Sequence, residues 1–132
     1  MSRLVYVVLD INSRVEATKS LSLKKGKEDD RSHIVSPSTK DIYKGPLTLD
    51  AVKPATISGT WFHSVRDADV TSKIVVLYFH GGAFVQGDGC DAQCGTIAKK
   101  LLQSSGGGID AVFSVQHRLS GYGLTSPFPA AL

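Results

Sequence analysis

Cysteine is scarce in this sequence: its 132 residues contain only Cys90 and Cys94, too few for a disulfide framework. The count therefore does not point to secretion, and we expect a cytoplasmic protein. A single C-x-x-x-C spacing with no second ligand pair is weak evidence for zinc or redox chemistry. It favours two small, half-buried side chains on one helix face. We expect no metal and no other cofactor.

Long apolar runs and an excess of one charge are also missing. No apolar stretch approaches the roughly 18 residues of a membrane span. Residues 4–11 (LVYVVLDI) contain Asp10 and lack a small-residue cleavage site, so they make a poor signal peptide. The net charge of +3 comes without a basic cluster, which argues against nucleic-acid binding. The mixed-charge segment KKGKEDDR (residues 24–31) is expected to be a solvated loop.

What is present suits one globular domain, because 42% of the residues are hydrophobic. Residues 1–45 are expected to be an irregular N-terminal segment with at most one short element, and residues 46–132 to form the folded domain. Between residues 47 and 63 the pattern predicts two short strands joined by a turn. Trp61 and Phe62 are expected to be packing residues there.

The best-defined unit is a strand–helix–strand pattern. Residues 74–79 (IVVLYF) form a continuous apolar run, which predicts a strand buried on both faces of a parallel sheet. A helix is predicted from about residue 91 to 105, with Asp88 near its N-cap and glycines after it. Its apolar face comprises Cys90, Cys94, Ile97, Ala98, Leu101 and Leu102. Residues 111–115 (AVFSV) predict a second buried strand, so the fold class is α/β with a right-handed βαβ unit.

A dinucleotide-binding pattern is one candidate site. The segment GDGCDA (residues 87–92) formally matches G-x-G-x-x-A between a strand and a helix. Asp88 would place a carboxylate where phosphate charges must lie, and like charges repel in a poorly solvated site. The acidic residue that would bind a ribose should end the second strand, but Asp110 precedes it. The pattern therefore disfavours a dinucleotide-binding module.

The turn HGGA (residues 80–83) is the stronger candidate, because it directly follows the first predicted strand of the βαβ unit. Glycines there let backbone N–H groups point into a cleft without a side chain in the way. Such preorganised donors stabilise the oxyanion that forms when a carbonyl carbon becomes tetrahedral. The alternative is a plain strand-to-loop turn with a buried histidine, and the spacing alone does not decide between the two.

Three segments in order carry a resemblance to a known family. YFHGGAFVQGD (residues 78–88), HRLS (117–120) and PFPAAL (127–132) together resemble the hormone-sensitive-lipase-type branch of the α/β-hydrolases. In that family an HGGG-type turn follows the third strand, YRL follows the fourth, and PFPAAL opens the next helix. The resemblance covers residues 74–132 and, loosely, residues 47–63.

The resemblance implies a role for each residue of the turn. Gly82 and Ala83 would offer their backbone N–H groups to the oxyanion. Gly81 would shape the turn, and His80 would hold the loop through hydrogen bonds rather than act as a base. Ala83 stands where the family has a third glycine, which matters little because the donor is the backbone N–H.

Elsewhere the sequence departs from the family pattern. Gln116 and His117 replace an acidic-aromatic pair before Arg118, and the segment between Leu119 and Pro127 is longer than usual. These differences affect the loop that follows the second strand of the βαβ unit.

The nucleophile of the family, a serine in G-x-S-x-G, has no counterpart, since no serine or cysteine here has glycine at both −2 and +2. His33 and His63 fall in predicted loops and His117 at a strand end, so each is expected to be a surface or sheet-end histidine. We interpret the chain as the incomplete N-terminal half of an α/β-hydrolase sheet, a strand pair followed by a βαβ unit. A truncated gene model, an alternative transcript or a decayed copy would each explain this.

The expected activity, implied by the resemblance, is carboxylic-ester hydrolysis through an acyl-serine in the complete form. A small-molecule ester or acylglycerol-like substrate is expected, with no nucleic acid and no membrane span. The family places the strand at 74–79 between the one at 111–115 and a later strand. The missing later strand should leave this edge exposed and able to associate, and the missing nucleophile should make this chain inactive alone. The alternatives are a non-catalytic remnant that acts by binding and, less favoured, a dinucleotide-binding module.

Overall fold

The structure is a computed structural model that describes residues 26–39, 42–45, 53–63, 74–82, 84 and 86–120. It contains a 3-10 helix (Gly26–Arg31), strands β1 (Ser32–Val35), β2 (Ile57–His63), β3 (Val75–Phe79) and β4 (Ala111–Gln116), and helix α1 (Asp91–Ser104). The first strand of the pair predicted between residues 47 and 63, and the helix that opens with PFPAAL, lie outside the described residues.

The four strands form one mixed sheet in the order β1-β2-β4-β3. β2 is antiparallel to both β1 and β4, and β3 is parallel to β4 with Phe79 beside Val115. Helix α1 connects the two parallel strands, so the predicted βαβ unit and the α/β character are confirmed. The helix ends where Gly106 and Gly107 take positive φ angles, as the glycine run predicts.

The core lies between α1 and one face of the sheet. Its buried centre consists of Phe62, Ala98 and Val112, and partly buried side chains surround it: Val76, Tyr78, Leu101, Leu102 and Ile109. The packing role predicted for Phe62 is therefore confirmed. Ile97, predicted on the buried helix face, is exposed. The buried face is centred on Cys94, Gly95 and Ala98, which turns Ile97 outward.

Strand β3 is not buried as predicted. Val75, Leu77 and Phe79 are 48%, 61% and 60% exposed, whereas Val76 and Tyr78 on the other face pack against the core. The prediction of burial on both faces is wrong for β3, because α1 covers only one face and β3 ends the described sheet. It is confirmed for β4, which lies between β2 and β3 and buries five of its six residues.

Residues 26–31 are not the solvated loop that the sequence suggests. Glu28 Oε1 accepts a hydrogen bond from the backbone N–H of Asp91, 3.2 Å away, and Arg31 Nη2 donates to Asp91 Oδ2 at 3.0 Å. The hydrogen bond from Arg31 is the main cause that lowers the pKa of Asp91. The Arg31 guanidinium also lies 5.3 Å from the centre of the Phe62 ring. Residues 26–31, which precede β1, therefore contact both the start of α1 and the core residue Phe62.

Candidate functional site

The HGG part of the turn leaves β3 at the carboxyl edge of the parallel pair. Residues His80 to Gly82 directly follow Phe79, and residues His117 to Ser120 follow β4. Because parallel strands end at the same edge, the two loops lie side by side. Ala83, the second donor implied by the family resemblance, lies outside the described residues.

Gly82 has a backbone conformation that strongly favours glycine. Its φ of 126° lies in a region that residues with a Cβ rarely adopt, and a Cβ there would lie 2.1 Å from the carbonyl oxygen of Gln86. The same turn is closed by a hydrogen bond of 3.2 Å from the N–H of Gln86 to the carbonyl of Gly82. No backbone acceptor in the described part of the chain bonds the N–H of Gly82. Around Gly81, by contrast, a Cβ would meet nothing within 4 Å.

His80 is buried beneath this turn. Its Nδ1 lies 2.9 Å from the carbonyl oxygen of Gly81, which identifies Nδ1 as the donor and leaves Nε2 unprotonated. Nε2 is buried and has no hydrogen-bond partner among the described residues. Burial is the largest cause that lowers the pKa of His80. A neutral imidazole enclosed in this way can orient the turn but is poorly placed to exchange protons with a substrate.

His117 is a neighbour of the turn whose contact with His80 the sequence pattern did not predict. It lies at the end of β4, as predicted, but it is buried rather than a surface residue. Its ring stacks on that of His80 with centroids 4.1 Å apart and planes 14° apart. Nδ1 of His117 lies 3.0 Å from the carbonyl oxygen of Arg118, and the Phe84 ring approaches edge-on at 6.2 Å.

Two hydrogen bonds join the loop after β3 to the end of β4 and to the loop that follows β4. The N–H of Ser120 donates to the carbonyl of Phe84 at 2.7 Å, and the N–H of Gly89 donates to Oε1 of Gln116. Phe84 has a φ of 63°, in the left-handed region that is uncommon for a residue other than glycine. Such a conformation persists where surrounding contacts impose it, and clusters of this kind occur at functional sites.

The start of α1 is already occupied by side-chain oxygens. The N-cap is Cys90 rather than Asp88, and Oδ1 of Asp88 accepts the N–H of Cys90 at 2.9 Å. Glu28 accepts the N–H of Asp91, and Gln116 accepts that of Gly89. A pyrophosphate would need these same amides and would meet two carboxylates. The geometry therefore argues against a dinucleotide site.

The cysteines do not form a reactive pair. Cys94 is buried, and its Sγ donates to the carbonyl of Asp88 at 3.1 Å. Burial raises the pKa of Cys94 and raises that of Cys90 to about 12. Both cysteines therefore favour the protonated thiol, whereas a nucleophile or a zinc ligand needs the thiolate. In the described part of the chain, no three metal-ligating side chains come together.

His33 and His63 lie in strands, so their predicted placement in loops is wrong. His33 belongs to β1 and meets the rings of Trp61 and Phe113 edge-on, at 6.5 and 6.1 Å. His63 ends β2 and stacks on Trp61 at 5.8 Å. Phe113 alternates with the core residue Val112, which places this aromatic cluster on the sheet face opposite α1. His63 pairs with Ala111, at the opposite end of β4 from the HGG turn.

Comparisons with family models, with curated proteins and with solved structures find no match for this chain. Among the described residues, no helix is long and apolar enough to cross a membrane. Function therefore has to be argued from the geometry of the turn and from the sequence resemblance.

Proposed function

We propose that this chain supplies the oxyanion-hole half of a carboxylic-ester hydrolase. The observation that carries the proposal is Gly82, held at a φ of 126° three residues after the end of β3 with an N–H that meets no backbone acceptor from the described residues. A donor fixed before the reaction starts needs no reorganisation when negative charge develops on a carbonyl oxygen.

The chemistry in the complete enzyme follows from these donors. A serine hydroxyl outside residues 1–132 attacks the ester carbonyl carbon, and the carbonyl oxygen becomes an oxyanion that accepts hydrogen bonds from the N–H groups of Gly82 and Ala83. The alkoxide leaves with the proton that a histidine base took from the serine. Water then attacks the acyl-serine carbonyl and gives a proton to the histidine, and the histidine returns that proton to the serine oxygen as the carboxylic acid is released. The substrate is a small-molecule ester or an acylglycerol-like lipid.

Two features of the structure support this proposal. His80 is enclosed and hydrogen-bonded to the turn, which suits a residue that shapes the loop. β3 lies beside β4 and ends the described sheet, which leaves its other side for the later strand that the hydrolase resemblance implies. The apolar side chains of Val75, Leu77 and Phe79 would then be covered by the rest of the domain.

The test compares this chain with a longer protein read from the same gene. We expect the 132-residue chain to show no p-nitrophenyl-ester turnover and no labelling by a fluorophosphonate, because it lacks a serine elbow. Hydrolases stripped of their triad retain only about 10³–10⁴-fold catalysis over water, and only with an intact binding site. A longer protein should hydrolyse the ester and be labelled at a serine in a downstream G-x-S-x-G.

Two results would contradict the proposal. Labelling of a serine within residues 1–132 would show that the nucleophile is misplaced. A folded longer protein with a downstream G-x-S-x-G but without labelling would remove the hydrolase function altogether.

A second candidate function, association without catalysis, is favoured by the exposed β3 edge. The strand VVLYF carries no charge, proline or bulge, the devices that usually protect an edge strand. We propose a second copy of this chain as the occupant. Antiparallel pairing about Leu77 would place Val75 opposite the partner copy's Phe79 and join the two exposed apolar faces.

A charge at the centre of this edge should prevent the pairing. Leu77→Lys would place two ammonium groups opposite each other across the two-fold axis, and like charges so placed destabilise a strand pair. We expect light scattering to show concentration-dependent association of the unaltered chain and a monomer for Leu77→Lys. Ile34→Lys, at an exposed position on β1 (50%, against 61% for Leu77), is the matched control and should still associate. A monodisperse unaltered monomer that unfolds cooperatively at high concentration would exclude this candidate.

A further inference from the structure

The stacked histidines His80 and His117 join the HGG turn to the most buried strand of the sheet. We propose that His117 is the positioning residue of this turn: its ring fixes the ring of His80, and His80 fixes Gly81 and Gly82. The contact between the two rings is observed in the structure, whereas its effect on catalysis rests on the proposed ester-hydrolase function.

His80 needs such a partner because its other restraints are few. One hydrogen bond, from Nδ1 to the carbonyl of Gly81, holds the ring within its own turn. Nε2 contributes none from the described residues. The close approach of Gly87, where a Cβ would lie 2.6 Å from Nδ1 of His80, restricts one edge of the ring but leaves its flat face free. The ring of His117 covers that face at 4.1 Å.

His117 is itself anchored on both sides. It directly follows β4, which is buried along most of its length, and its Nδ1 is bonded to the carbonyl of Arg118. The rings of Phe79 and Phe84 lie 6.5 and 6.2 Å from it. The hydrogen bond from Ser120 to Phe84 then closes the loop around the stack and helps hold the unusual φ of Phe84. The end of β4 therefore fixes the position of the His117 ring, and that ring fixes the position of His80 in the turn.

The stack also makes the turn sensitive to acid. The ionisable groups that act on His80 are His117, stacked on it, and Asp88, farther along its own loop. Burial, the largest cause, and His117 lower the pKa of His80, whereas the hydrogen bond with Gly81 and the carboxylate of Asp88 raise it, and the net effect is a lowered pKa. In the unfolded chain, His80 binds a proton as the pH drops below about 6.5, whereas in the folded turn it stays neutral to a lower pH. The stability of the turn therefore falls as the pH drops below about 6.5.

Hydrogen exchange of the 132-residue chain tests the contact without any activity. We compare His117→Ala, which removes the ring, with His117→Phe, which keeps a flat ring but carries no proton. Removing the ring should speed amide exchange in residues 80–90 roughly two- to tenfold, as expected for the loss of one ring pair. His117→Phe should stay close to the unaltered chain at pH 7 and lose less protection between pH 7 and pH 5, because the electrostatic effect of His117 that helps to lower the pKa of His80 is gone.

Two controls separate this effect from general unfolding. Amides of α1 should keep their protection in every variant, and His63→Ala, which removes a ring stacked on Trp61 away from the turn, should leave residues 80–90 unchanged. Unchanged exchange of residues 80–90 in His117→Ala, with α1 intact, would overturn the proposal. So would equal loosening by His117→Phe.

The longer protein separates this proposal from the proposed function. If both hold, His117→Ala lowers kcat with little change in KM, and His117→Phe restores it. If the turn loosens in His117→Ala but the kcat of a folded, active longer protein does not change, His117 positions the turn and the turn is not the oxyanion hole.

Discussion

Ala83→Pro is expected to lower the kcat of the complete hydrolase by about 10²–10³, or about 3–4 kcal/mol of transition-state stabilisation, with KM nearly unchanged. Proline has no backbone N–H and fixes φ near −65°, so the substitution removes one of the two proposed oxyanion donors. The donor matters only when the carbonyl oxygen becomes negatively charged, and ground-state binding should therefore change little.

The control for this experiment is Ala83→Gly, which keeps the N–H and should keep the larger part of kcat. Because lost folding would imitate a lost donor, the proline variant must first show thermal unfolding like that of the unaltered protein. A folded proline variant that keeps its activity would mean that residue 83 is not a donor. The HGGA segment would then be a strand-end turn, the alternative that its spacing leaves open.

The βαβ unit could be predicted because its signals are local. The apolar run at 74–79, the helical period after residue 90 and the glycines after residue 104 each depend on neighbours in sequence, and α1 ends within one residue of its predicted end. The position of the HGG turn follows from the same pattern, since it needs only the end of β3. Its conformation, with φ at 126° in Gly82, is one that glycine adopts readily and other residues rarely do.

What the sequence did not predict depends on contacts between distant segments. The four residues of β1 (SHIV) are too short to form a pattern, and they become a strand by pairing with β2. An apolar run such as VVLYF does not reveal which of its faces another element covers. Long-range packing, rather than composition, therefore exposes Leu77 and Phe79 while it buries Phe113.

The contact between His80 and His117 could be predicted only in part from the sequence. His80 directly follows the first predicted strand of the βαβ unit, and Gln116 and His117 directly follow the second. Neighbouring parallel strands end at the same edge of the sheet. That coincidence is a usable signal for a contact between His80 and His117. Burial and ring geometry, however, depend on the register of Phe79 with Val115, which the sequence does not contain. The stack links the two loops that the family resemblance singles out.

Gly82→Ala is expected to destabilise the folded turn by about 1–3 kcal/mol, the cost of a non-glycine residue in a sparsely populated backbone region. The added Cβ would also lie 2.1 Å from the carbonyl oxygen of Gln86, so the turn must open to relieve the contact. That opening would break the hydrogen bond from Gln86 to Gly82 and move the proposed donor.

Gly81→Ala is the matched variant at the neighbouring position, because a Cβ there meets nothing within 4 Å. Its stability should stay within about 0.5 kcal/mol of the unaltered chain. Urea unfolding gives the free-energy differences, and hydrogen exchange of residues 80–90 shows whether the loss is local. Equal stability of the two alanine variants would mean that Gly82 does not hold the φ of 126° described here, and the oxyanion proposal would lose the observation that carries it. A loss confined to Gly82→Ala, by contrast, means that the folded turn depends at residue 82 on a backbone conformation that glycine adopts far more readily than alanine.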